Sequence, residues 1–81
     1  MIDAGINSGD LLIVDRSLEA KNNDIVLAVI DGEFTVKRLK IKDGKIYLKP
    51  ENGNFNDIEI TESMSFEVWG VVISVIRELK L

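Results

Sequence analysis

The sequence has 81 residues, of which 46% are hydrophobic and 30% are charged, and its formal net charge is −4. These values are typical of one small globular domain, whereas a free-standing nucleic-acid binder would usually be basic. Cysteine and histidine are both absent, which excludes disulfides, thiol catalysis, Cys/His zinc sites and histidine-based triads.

Two apolar runs begin the predicted sheet. The run at 11–15 follows the turn-forming residues 7–10, and its continuous apolar sequence predicts a strand that is covered on both sides. The run at 25–30 is again apolar on both faces and predicts a second strand. The polar residues 16–23 between them are typical of a loop.

Two Asp-Gly pairs predict tight hairpins. Asp31-Gly32 and Asp43-Gly44 fit type I′ turns, in which both central residues need a positive φ. Strands at 33–42 and 45–49 should therefore form an antiparallel meander with the preceding strand. Pro50 ends this meander, because proline has no N–H to donate to a strand ladder.

The last third of the chain predicts one short and one long strand. The short strand lies at 57–60. The segment 68–76 is rich in β-branched residues, and Gly70 lies inside it; we expect a strand that bends at this glycine and pairs with more than one neighbour. The fold class is therefore mainly β: a single domain, residues 1–81, of five to six mostly antiparallel strands, strongly coiled or barrel-like.

The strand at 33–42 places its side chains alternately on two faces. One face carries Phe34, Val36, Arg38, Lys40 and Lys42, and the other carries Thr35, Lys37, Leu39 and Ile41. Lys37 is thus the only lysine of the run that shares a face with the later apolar residues. Desolvation there would favour a neutral amine, which makes Lys37 a candidate general base. The alternative is that Lys37 extends its ammonium group to solvent from a half-buried strand.

The residues alone do not supply a partner for this base. None of the serines stands out as a nucleophile: Ser8, Ser17, Ser63, Ser65 and Ser74. The carboxylates lie mostly at turns, and we predict no metal site and no cofactor. Phosphate-binding and dinucleotide-binding motifs are absent. No apolar run approaches the roughly 20 residues that span a bilayer, so no membrane contact is expected.

Five segments match a known family in the order in which they occur along the chain. They are 1–6 (MIDAGI), 9–15 (GDLLIVD), 32–39 (GEFTVKRL), 48–52 (LKPEN) and 68–73 (VWGVVI). With compatible spacing over almost the whole chain, they resemble the LexA/UmuD family. The resemblance implies the β-rich C-terminal domain of that family. Because no DNA-binding helical domain is seen and the sequence ends soon after the last strand, the chain is more similar to UmuD than to the LexA repressor.

The resemblance implies a self-cleaving Ser–Lys peptidase. In that family the lysine of the Phe-Thr-Val-Lys motif is the general base, and it corresponds to Lys37. The serine lies immediately before the Met-Ile-Asp-Ala-Gly segment, so it would precede Met1 together with the amides of the oxyanion hole. We therefore expect the 81-residue chain alone to be unable to cleave itself or a partner.

The resemblance also implies partners in the SOS response to DNA damage. UmuD-like proteins are cytoplasmic homodimers that respond to the RecA filament and join a Y-family DNA polymerase subunit in error-prone translesion synthesis. The alternative is the dimerisation and self-cleavage domain of a LexA- or phage-type transcriptional repressor. The negative net charge fits protein binding better than direct nucleic-acid contact. The apolar strand 71–76 is either a dimer edge or part of the core.

Overall fold

A computed structural model describes residues 9–50 and 57–77 of the chain. These residues form one sheet of six antiparallel strands, whose spatial order is β1-β6-β2-β3-β4-β5. The strands are β1 (Leu11–Asp15), β2 (Ile25–Ile30), β3 (Glu33–Lys42), β4 (Lys45–Lys49), β5 (Ile58–Glu59) and β6 (Phe66–Ile76). The mainly β, antiparallel fold class predicted from the sequence is therefore confirmed. The sheet is not closed into a barrel, since β1 and β5 form its two edges.

Two Asp-Gly turns fix the meander of β2, β3 and β4. In the first turn φ is 48° at Asp31 and 86° at Gly32, and in the second it is 51° at Asp43 and 74° at Gly44. Positive φ at both central residues is the requirement of a type I′ turn, whose twist matches that of the strands it joins. The predicted hairpins are confirmed, and β4 ends directly before Pro50 as expected.

The hydrophobic core lies on one face of the sheet, which we call the core face. Val26, Ala28 and Leu48 are fully buried, and Leu39 is 3% exposed. Leu39 and Leu48 are directly opposed in the β3–β4 ladder, so their side chains share a face. Since the four residues come from β2, β3 and β4, the meander supplies the centre of the core.

β6 bends so that it can pair with two strands. It pairs with β2 near its beginning and with β1 near its end, and the register shifts once in each ladder. In the ladder with β2 the extra residue is Trp69, and Gly70 follows it. Bulges of this kind bend a strand and increase its twist. The predicted bend at Gly70 and the predicted pairing with two neighbours are both confirmed.

β1 is less buried than its sequence predicts. β1 lies at the edge of the sheet, and Leu11 and Ile13 are 66% and 42% exposed. The continuous apolar sequence indicated a strand buried on both faces. β6 instead separates β1 from β2, so β1 lies away from the core residues Val26 and Ala28. No helix in the described ranges is long and apolar enough to cross a lipid bilayer.

At Gly70, β6 has no room for a side chain beside the end of β1. A Cβ atom at Gly70 would lie 2.4 Å from Val14 Cγ1 and 3.2 Å from the carbonyl oxygen of Asp15. We predict that Gly70→Ala lowers the free energy of unfolding by about 1–3 kcal/mol, because a stiff β-branched side chain must move to make room. Urea unfolding followed by circular dichroism measures the change.

A double-mutant cycle separates this clash from a backbone effect. Val14→Ala removes the atom that the new Cβ would meet, so the combined Val14→Ala/Gly70→Ala variant should lose less stability than the sum of the single variants. Additive losses would contradict a steric cause at Gly70.

Candidate active site

Lys37 lies on the core face of β3. It is directly opposed to Val26 of β2, which is in turn opposed to Val71 of β6. Two residues further along β3, Leu39 points to the same face. Val26 is fully buried, Leu39 is 3% exposed and Val71 is 6% exposed. The face assigned to Lys37 by strand alternation is therefore observed, and its half-buried side chain starts among apolar neighbours.

The next lysine of β3 has different surroundings. On the opposite face, Arg38 Nη1 donates to the carbonyl oxygen of Asn23 at 2.8 Å, and Lys40 Nζ donates to the Asn23 side-chain oxygen. Within residues 9–50 and 57–77, the side chain of Lys37 has no hydrogen bond or ion pair. Lys37 thus differs from Arg38 and Lys40 in its face and, among the described residues, in having no polar partner for its side chain.

None of the described serines lies beside Lys37 in the strand ladders. They lie in turns or in β6: Ser17, Ser63, Ser65 and Ser74. The Ser17 hydroxyl donates to Asp15 Oδ1 at 2.6 Å, and the Ser63 hydroxyl is 2.9 Å from that of Thr61. Ser74 is exposed and opposes Ile13. Ser8 lies outside the described residues. The described part of the chain therefore supplies a lysine without a serine next to it.

The carboxylates near β1 and β2 have structural roles. The hydroxyl and then the backbone N–H of Ser17 lower the pKa of the Asp15 carboxyl, because hydrogen bonds to a carboxylate favour its charged form. The carboxylate of Asp24 accepts from the backbone N–H of Lys21 at 2.8 Å. In the described ranges, acidic residues do not gather into a group of three that could hold a metal ion.

Two contacts distant in the sequence were not predicted. Arg77 binds the Asp10 carboxylate through Nε and Nη2, each at 3.2 Å, and the Asp10 side chain is only 4% exposed. This pair raises the pKa of Arg77 through the hydrogen bond and the charge of Asp10. Elsewhere, the Arg16 guanidinium carbon lies 3.9 Å from the centroid of the Trp69 ring. No local sequence pattern predicts these pairs, because their members come together only when β1 pairs with β6.

The sequence is similar to proteins named LexA repressor over most of its length. A LexA repressor of Frankia alni is 46% identical over 79 residues, which are 98% of this chain and 30% of the relative. A LexA repressor of Bordetella parapertussis is 46% identical over 77 residues, which are 95% of this chain and 36% of the relative. One from Oleidesulfovibrio alaskensis is 48% identical over 73 residues, or 90% of this chain and 35% of the relative.

The family assignment rests on a match that includes β3, the strand of Lys37. This chain spans about a third of the length of the curated relatives that it matches. Residues 1–73, which include Lys37 and the first eight residues of β6, match the family model described as Peptidase S24-like. The chain belongs to the Peptidase S24-like family.

Proposed function

We propose that Lys37 is the general base of a Ser–Lys self-cleavage site in a LexA-type repressor. The observation that carries the proposal is the position of Lys37 on the core face, opposite the fully buried Val26 and without an ion pair in the described ranges. A base for a serine must be a neutral amine, and the side chain of Lys37 starts beside the buried Val26 with no carboxylate paired to it in the described ranges. The family match supports the same chemistry.

In this proposal Lys37 moves one proton twice. Its neutral amine takes the proton of a serine hydroxyl while the serine oxygen bonds to the carbonyl carbon of the scissile peptide. The resulting ammonium returns the proton to the peptide nitrogen as the C–N bond breaks, and water then hydrolyses the ester. The serine is the one that the family resemblance expects immediately before Met1.

We predict that Lys37→Ala slows self-cleavage by roughly 10²–10⁴-fold, the usual contribution of a positioned base. The assay uses the chain extended upstream of Met1 by a Gly-Asp-Ser segment and a cleavage-site arm, incubated at alkaline pH and followed by gel electrophoresis. The physical reason is that no other lysine of β3 shares the core face.

Lys21→Ala is the matched control. Lys21 is an exposed lysine in the loop before β2, so removing it changes the charge equally without touching the core face. Cleavage at the wild-type rate by the Lys37→Ala variant would overturn the assignment. A normal rate for Lys21→Ala, with unchanged circular dichroism for both variants, is required for the assignment to stand.

Of the two parent proteins considered, we favour the repressor. The relatives described above are all named LexA repressor, which supports the dimerisation and self-cleavage domain of a repressor better than a UmuD-like accessory subunit. A polymerase partner is accordingly not part of the proposal. The proposal includes a cytoplasmic location and stimulation of self-cleavage by the RecA filament, both on the basis of the family resemblance. A helix-turn-helix sequence upstream in the gene would support the repressor.

We also propose that the chain forms a homodimer through the end of β6. The ladder with β2 extends along β6 only to Val71, so one edge of the following residues has no strand beside it in the described ranges. Ile73, Val75 and Ile76 are 54%, 36% and 47% exposed. An apolar strand with an open edge can be completed by a strand from a second copy.

We predict that Val75→Glu produces a folded monomer, because a buried charge at the interface would cost more than the dimer gains. Sedimentation velocity compares it with the wild-type dimer, and circular dichroism reports its fold. Leu18→Glu is the matched control, since Leu18 is 49% exposed but lies in the loop after β1.

Three results would contradict the proposed interface. They are a monomeric wild-type chain, a Val75→Glu variant that remains dimeric, and dissociation by Leu18→Glu to the same extent. Unfolding of Val75→Glu would instead indicate that this strand belongs to the core.

A further inference from the structure

β3 and β4 carry a cluster of cations on the face opposite the core, which we call the basic face. It consists of Arg38, Lys40, Lys42, Lys45 and Lys49. These residues share a face because the ladder opposes Arg38 with Lys49 and Lys42 with Lys45. A chain with a net charge of −4 thus concentrates half of its ten Lys and Arg residues on one surface of two strands.

The like-charged cross-strand pairs of the basic face destabilise the folded chain when no anion is bound. Like charges that are directly opposed in an antiparallel ladder repel each other at a Cβ–Cβ distance of about 5 Å. Two such pairs, Arg38 with Lys49 and Lys42 with Lys45, lie on the same face, one on each side of the pair of Lys40 with Tyr47. An anionic ligand beside these pairs would attract both cations of a pair and so offset their mutual repulsion.

The basic face borders an open cleft of about 500 Å³. Lys40, Lys42 and Lys49 line it together with Tyr47, while Asn22 and Asp57 form part of its wall. Tyr47 lies opposite Lys40 in the ladder, so an aromatic ring stands among the ammonium groups. The cleft therefore combines positive charge with an apolar surface and neutral hydrogen-bonding groups.

The loop before β2 supports one wall of the cleft. The Asn22 side-chain oxygen accepts from the backbone N–H of Ile41 at 2.8 Å, and Asn23 accepts from both Arg38 and Lys40. The amide oxygen of Asn23 orients Lys40 without neutralising it, because an amide carries no net charge.

The lysines that line the cleft have no ion pair in the described part of the chain. Lys42 and Lys49 have no ion pair within residues 9–50 and 57–77. Lys45 has one at 3.7 Å with Glu59, in which both side chains are largely exposed, and such pairs are weak.

We propose that the cleft binds an extended acidic segment of a partner protein. Alternate residues of a strand lie about 7 Å apart, so acidic side chains at alternate positions of an extended peptide match the spacing of Lys40 and Lys42. From Arg38 to Lys42 the basic face spans about 13 Å along β3, which suits a few residues of peptide. The negative net charge of the chain disfavours a long phosphate backbone.

The test measures binding of a fluorescein-labelled peptide of alternating glutamate and alanine by fluorescence anisotropy. Lys42→Gln and Lys49→Gln should each weaken binding about threefold, as expected for the loss of one partly exposed ion pair. Lys21→Gln is the matched control, because it removes the same charge from a residue that does not line the cleft. Affinity should also fall between roughly 50 and 500 mM salt.

Control ligands make the outcome decisive. A peptide with glutamine in place of glutamate should not bind, and a single-stranded oligothymidine should bind more weakly than the acidic peptide. Circular dichroism of the variants should match the wild type. No binding of the acidic peptide, an equal loss for Lys21→Gln, or tighter binding of the oligonucleotide would each overturn the proposal. Self-cleavage is not needed for this readout, so failure here leaves the role proposed for Lys37 unaffected.

Discussion

The register of β3 is the constraint on which the rest of this structure depends. A shift by one residue would exchange the two faces of the strand, taking Lys37 out of the core face and placing Lys40 in it. The Asp31-Gly32 and Asp43-Gly44 turns hold the register, because their positive φ values at both central residues fit two-residue hairpin loops. Leu39 adds a second constraint, since its buried position opposite Leu48 could not be filled by either neighbouring cation at low cost.

The same alternation gives the cations of β3 two different environments. Lys37 lies opposite a fully buried valine, whereas Arg38 and Lys40 are held by Asn23 on the other side of the sheet. The general base proposed at Lys37 and the anion site proposed on the basic face need opposite surroundings, one apolar and one polar. A single strand can provide both, because successive side chains are separated by the sheet itself.

β6 connects β1 to the other four strands of the sheet. Its bulges allow it to pair with β2 on one side and with β1 on the other, and Gly70 permits the close approach of Val14. At its far end, the Arg77–Asp10 pair joins the residues next to β6 and β1. The apolar residues that remain exposed there, including Ile73, lie beyond Val71, where the ladder with β2 ends in the described ranges.

The sequence by itself determined the strands of the meander, its two turns and the face on which Lys37 lies. These features depend on local rules, namely the two-residue period of a strand and the φ preference of Asp-Gly pairs. Only the tertiary structure decided that β6 lies between β1 and β2, which makes β1 an exposed edge rather than a buried strand. It also decided that Asp10 meets Arg77, 67 residues away. Such contacts depend on which strands become neighbours, and strand order is set by the packing of the whole sheet rather than by any local pattern.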